Sequence, residues 1–180
     1  MKEVTKSTLL DSLKDPTSRQ KAFTSLVSLY KSRVYGVVRK MVIDHDDADD
    51  VVQEVFIKLW KEIDRYRGDS ELFTWIYRIA SNEALQFLRK KKRRMLFSGD
   101  YREVLAQHLD NAVGMDGDEI QLKLQKAILT LPDKQRLIFN FKYYEELKYE
   151  EIAAITGTSV GGLKASYHHA VKKIENYLVK

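Results

Sequence analysis

The chain has 180 residues, 31 Lys and Arg against 26 Asp and Glu, a formal net charge of +5, and no cysteine. Without thiols it can build no disulfide framework, no thiolate nucleophile and no cysteine-ligated zinc or iron–sulfur centre. No apolar run approaches the roughly 18–20 residues that cross a bilayer, and Met1–Lys6 lacks the apolar stretch of a signal peptide. The expectation is a cytoplasmic chain with no membrane insertion.

Charge is blocky along the chain. Residues 1–96 carry 20 basic and 14 acidic side chains, residues 97–118 one and five, and residues 119–180 ten and seven. Two basic pieces joined by an acidic stretch suggest a domain over 1–96, a linker over 97–118 and a second domain over 119–180. Within the first piece Asp44, Asp46, Asp47, Asp49 and Asp50 cluster, and so do the six consecutive cations Arg89 to Arg94. Six adjacent cations repel one another, which makes a polyanion a serious candidate partner.

Taken in chain order, the apolar residues recur at helical spacing. Phe23, Leu26, Val27, Tyr30, Val34, Val37, Val38 and Met41 predict a long helix starting near Ser18, whose hydroxyl is a candidate cap. Val51, Val52, Val55, Phe56, Leu59 and Ile63 predict a second, with the Asp cluster at its N-terminus, where carboxylates meet unpaired N–H groups. Arg65–Ser70 breaks the pattern, and a third helix follows from Phe73 to Leu88 into the six cations. Residues 97–118 lose the period; their glycines and aspartates predict a flexible linker with room for a short helix. Its polar composition also predicts domains that move relative to one another. The helical period resumes from Glu119 to Leu131, breaks at Leu131-Pro132-Asp133 with Pro at an early helical position, and continues from Lys134 to Tyr144. The fold class is all-α, with two small helical domains.

Two constellations carry chemistry. From Lys148 to Val160 the chain reads as a short helix, a turn at Gly157 and a new helix capped by Ser159, the grammar of a helix-turn-helix. The second helix of such a unit lies in a DNA major groove, and its polar face here offers Lys164, Ser166, Tyr167, His168 and Lys172. Gly161 and Gly162 inside that helix each cost it roughly 1 kcal/mol relative to Ala. In the first domain Phe56, Trp60, Tyr66, Phe73, Trp75 and Tyr77 interleave with Lys58, Lys61, Arg65, Arg67 and Arg78. Ring faces for bases beside cations for phosphates are what single-stranded nucleic acid requires. Phe56 and Tyr77 fall on apolar faces, where core packing explains them equally well.

The run from Asp47 to Trp60, then Tyr66-Arg67-Gly68, then Phe73 to Asn82, resembles region 2 of bacterial sigma factors of the extracytoplasmic-function type. Leu131 to Arg136, followed by Tyr149 to Ala153 and Gly157 to Gly161, resembles their region 4. The resemblance implies a protein that binds core RNA polymerase, directs it to promoters and helps open the DNA. It implies core polymerase contacts at Asp49, Asp50, Gln53, Glu54, Phe56, Lys58 and Trp60. It implies −10 single-strand contacts at Arg67, Gly68, Asp69, Ser70, Phe73, Trp75, Arg78 and Asn82, with Arg89, Lys90, Lys91, Lys92, Arg93 and Arg94 near phosphates. For the −35 duplex it implies Ser159, Lys164, Ser166, Tyr167, His168 and Lys172. An anti-sigma partner is common in such a family, and the free protein is expected to be monomeric.

The chain departs from the family where two expected arginines are Ser166 and His169, which supply little positive charge at pH 7. His168 and His169 do not suggest a metal site, since adjacent residues on a helix diverge by about 100°. There is no HExxH and no phosphate loop, so neither catalysis nor a cofactor nor a metal is expected. The alternative is a one-component helix-turn-helix regulator that binds duplex DNA without polymerase.

Overall fold

A computed structural model of the chain describes residues 6–66, 68–95, 101–112 and 119–179. The helices are α1 (Lys6–Lys14), α2 (Arg19–Val42), α3 (His45–Glu62), α4 (Leu72–Met95), α5 (Tyr101–Ala112), α6 (Glu119–Leu129), α7 (Asp133–Tyr143), α8 (Tyr149–Thr156) and α9 (Val160–Leu178). A 3₁₀ turn, Ile63–Arg65, follows α3. The all-α expectation holds, with α2, α3 and α4 packed mutually into one subdomain and α6 to α9 into another.

The predicted stripes of α2 and α3 face inward, whereas Ile120, which opens the apolar pattern of α6, is 77% exposed. α2 buries Leu26, Val34, Val37, Val38 and Met41, and α3 buries Val51, Val52, Val55 and Leu59. Asp44 caps α3, its Oδ1 accepting from the Asp47 N–H at 2.9 Å, and Asp46 and Asp47 occupy the first turn. Ser18 precedes α2 but its hydroxyl does not cap it. It donates instead to the Ser12 carbonyl at 2.9 Å and closes the turn from α1. In the second subdomain Pro132 stands one residue before α7 instead of inside it. Gly157 ends α8 at φ 70°, the left-handed conformation glycine adopts without a Cβ penalty. The Ser159 hydroxyl accepts from the Gly162 N–H at 3.2 Å and caps α9.

The two subdomains are packed on one another. A continuous cluster of buried apolar side chains runs from α2, α3 and α4 into Phe141, Ile152, Ile155 and Leu163. Tyr77 of α4 stacks on Phe141 of α7, ring centroids 5.9 Å apart. The physical reason lies at the end of α2, whose last carbonyls have no partner within the helix. α7 supplies the donors: Arg136 Nη2 reaches the Met41 carbonyl at 2.8 Å and Asn140 Nδ2 the Lys40 carbonyl at 3.3 Å. Within 97–118 the described part is α5, which buries Leu105 and Leu109. Residues 97–100 and 113–118 lie outside the described residues.

Candidate nucleic-acid interface

Three surfaces carry the predicted residues. On α3, the inward stripe of valines leaves Asp49, Asp50, Gln53 and Glu54 exposed as one ridge. The ridge borders a cleft of about 380 Å³ closed on the other side by Glu83, Gln86 and Lys90 of α4. Further along α3, Phe56 is half-buried against the core. Lys58 Nζ donates to Glu83 Oε1 at 2.6 Å, a bond that raises the lysine's pKa. Trp60 keeps 38% of its surface exposed, held edge-on to Phe23 and under the Arg19 guanidinium, 4.7 Å from the ring centroid. Arg19 in turn clamps Asp64 at 2.9 Å and the Trp60 carbonyl.

The second surface is the turn before α4 and the outer face of that helix. Gly68 takes φ 81° with open space around it, and Asp69 is exposed. The Ser70 carbonyl accepts from the Tyr66 hydroxyl, which ties the turn to the core. Trp75 is half-buried with its ring 5.0 Å from Tyr66, and Phe73 lies 4.3 Å from Tyr77, so both rings are braced from beneath. Asn82, Arg89, Lys90, Arg93 and Arg94 are exposed. Lys91 and Lys92 are engaged: the former pairs with Asp47, the latter with Asp133 of α7 at 2.7 Å. Arg78 Nη2 reaches across to the Ala154 carbonyl of α8 at 2.6 Å. Arg67 lies outside the described residues.

The third surface is α9. Lys164, His168 and Lys172 recur every fourth residue and are all exposed, as is the cap Ser159. Ser166 is half-buried, its carbonyl accepting from Gln135 Nε2 at 3.2 Å. Tyr167 turns inward to stack on Phe139 at 5.7 Å, and this burial pushes its hydroxyl pKa up.

Among the described residues no group of three or more His, Asp or Glu is arranged to hold a metal, and no helix is long and apolar enough to cross a membrane.

Two family models match the chain: Sigma-70 region 2 over residues 26–94 and Sigma-70, region 4 over residues 121–174. The ECF RNA polymerase sigma factor SigW of Bacillus subtilis (strain 168) is 30% identical over 168 residues, covering 88% of this chain and 90% of that protein. The ECF RNA polymerase sigma-E factor of Escherichia coli (strain K12) is 34% identical over 167 residues, with 87% and 86% covered. The chain belongs to the extracytoplasmic-function sigma factors.

Solved structures share the fold of this sigma factor. CnrH in complex with the cytosolic domain of CnrY superposes with a TM-score of 0.68 at 22% identity, covering 94% of both chains. The sigma factor RpoE in complex with the anti-sigma factor NepR from Bartonella quintana gives 0.66 at 23% identity, covering 88% of this chain and 97% of that one. The function of a sigma factor is to direct RNA polymerase to promoters, and the two matched regions coincide with the two subdomains. The side chains that position these surfaces are not among the predicted contacts: Arg19 over Trp60, Glu83 on Lys58, and Arg136 between the subdomains.

Proposed function

We propose that this sigma factor meets its partners through these three surfaces, with residues 1–96 serving polymerase and the −10 element, 97–118 connecting, and 119–180 serving the −35 element. The ridge of Asp49, Asp50, Gln53 and Glu54, flanked by Phe56, Lys58 and Trp60, docks on core RNA polymerase. The turn Arg67 to Ser70, with Phe73, Trp75, Arg78 and Asn82, holds unstacked bases of the −10 strand. Extruding a base costs a few kcal/mol, which stacking on braced rings offsets. Exposed cations of Arg89 to Arg94 track the phosphates. α9 enters the −35 major groove with Ser159, Lys164, His168 and Lys172 at the front and Ser166 and Tyr167 behind them.

The observation that carries this reading is the separation of charge. An exposed acidic ridge on α3 and exposed cations on α4 and α9 sit on different helices of two subdomains that match the two regions in order. The free protein acts as a cytoplasmic monomer, and an anti-sigma factor restrains it, as one is bound to RpoE in the structure that shares this fold.

Reconstituted transcription on a library of genomic fragments tests the reading. Core polymerase from the source bacterium, supplied with this protein, should start at new sites that share −10 and −35 sequences. No stimulation together with no binding to core overturns it, and duplex binding alone would point to the one-component regulator.

A further inference from the structure

α9 carries three permanent cations, Lys164, Lys172 and Lys173, and one acid, Glu175. Beside Lys164 and Lys172 the helix exposes two imidazoles, His168 and His169, whose ring centroids are 5.9 Å apart. Neighbouring residues leave a helix in different directions, and the two ring planes stand tilted at 58° to one another. The elements packed on α9 are α6, α7 and α8. From α6, Lys123 donates to the Leu178 carbonyl at the far end of α9. Tyr143 of α7 and Tyr149 of α8 act on Tyr167, and Lys164 lies over the Tyr149 ring. The acids of α8, Glu150 and Glu151, sit in its first turn, where Glu151 accepts from the Lys148 N–H. Among the described residues the imidazole that pairs with a carboxylate is His108, which meets Asp44; His168 and His169 have no such partner.

We propose that His168 and His169 make duplex binding by α9 proton-dependent, so that −35 engagement tightens as pH falls from about 8 toward 6. This rests on the reading of α9 as the duplex-facing helix. Imidazole is the side chain that ordinarily changes charge between about pH 5 and 8. A phosphate nearby favours its charged form, so binding draws protons onto the helix. Each imidazolium seated on a phosphate also releases a condensed counterion. The helix therefore changes from three cations to as many as five over a range in which lysine and arginine keep constant charge.

The test is fluorescence anisotropy of the full chain on a labelled mixed-sequence DNA duplex, at about pH 6 and pH 8. Salt is varied at each pH. At about 0.1 M salt one added phosphate contact is worth up to about eightfold in affinity, and it steepens the salt slope by about 0.9. The wild-type chain should gain affinity and slope at the lower pH. H168N/H169N should lose that gain, and H169R should keep tight binding at both pH values. Circular dichroism confirms that these exposed substitutions leave the fold intact. Equal pH dependence in the wild type and H168N/H169N overturns the inference, and so does duplex binding that is flat with pH. Those results leave the sigma reading standing, whereas absence of duplex binding at either pH overturns the duplex-facing role of α9 and this inference with it.

Discussion

The two glycines that open α9 differ in what surrounds them. A Cβ placed on Gly161 would meet nothing within 4 Å, whereas one on Gly162 would sit 3.2 Å from Ser159 Oγ and 3.3 Å from Thr158 Cγ2. G161A should therefore stabilise the chain by up to about 1 kcal/mol, the propensity difference between glycine and alanine. G162A should give less or nothing, because the same gain is offset by a cap hydroxyl that has to shift. Thermal melting separates them: a higher Tm for G161A than for G162A is expected, and the reverse order would refute the account. Gly157 is the opposite case, since φ 70° strains any residue with a Cβ. Asp44 makes a further residue-scale case. Its carboxyl is held below its ordinary 3.8, first by the Asp47 N–H and then by the charges of His108 and Lys91. A lowered folded-state pKa contributes stability above the unfolded value and loses it as acid protonates the group. D44A should cost about 1 kcal/mol at neutral pH by urea denaturation. The gap between variant and wild type should narrow below about pH 4, and a gap that stays constant through acid would remove the charged cap from the account.

At the scale of elements, α2, α3, α4 and α7 are legible in the sequence because their apolar residues keep a three- and four-residue period. α1 is not, because nine residues with Leu9 and Leu13 buried hold too little of that period. The end of α2 is equally hidden. It stops at Ile43, a β-branched residue at φ 69°, where sequence rules would look for glycine. The stop is imposed from outside, by Arg136 and Asn140 of α7 on the last carbonyls and by burial of the Ile43 side chain to 8% exposure. The candidate surfaces divide in the same way. The exposed ridge of α3 and the cationic end of α4 can be read from charge runs. Their supports cannot, because Lys58 and Glu83 are 25 positions apart, Lys92 and Asp133 41, and Arg19 and Asp64 45. Reversing the ridge tests its separateness as an element. D50K/E54K should weaken binding to core polymerase at least about tenfold, since like-charge juxtaposition costs several kcal/mol at an interface. Duplex binding through α9 should be untouched, and a parallel loss of both would mean that the two surfaces are not independent.

Across the whole molecule, the packing between subdomains conflicts with the promoter contacts proposed for them. Elements centred near −10 and −35 lie about 25 base pairs apart, or about 85 Å along the helix axis at 3.4 Å per pair. A compact chain of this length has a radius of gyration of about 16 Å and is about 40 Å across. The packed form is therefore too short to reach both elements of a straight duplex on the proposed assignment, and it already commits Arg78 to the Ala154 carbonyl and Lys92 to Asp133. If each subdomain takes one element, as proposed, binding core and promoter pulls α7 and α8 away from α2 and α4. It must supply the free energy of breaking the Arg136 and Asn140 bonds, the Lys40–Glu145 pair at 2.7 Å and the Tyr77–Phe141 stack. Polymerase can do so only through a higher affinity for the open form. Because the native chain has no cysteine, K31C and E175C place two spin labels on exposed positions of α2 and α9 without competing thiols. Pulsed dipolar spectroscopy of the free protein should give one narrow distance, which lengthens by at least about 20 Å in the complex with core polymerase and promoter if the domains reach separate elements. Adding D133A/E145A, which removes one carboxylate from each of two pairs between the subdomains, should broaden the free-protein distribution. It should also strengthen core binding, because less of the chain is held in a form that cannot bind. An unchanged distance on complex formation would mean that the packed form itself is the one that binds, and the conflict with promoter length would then have to be resolved by bending the DNA.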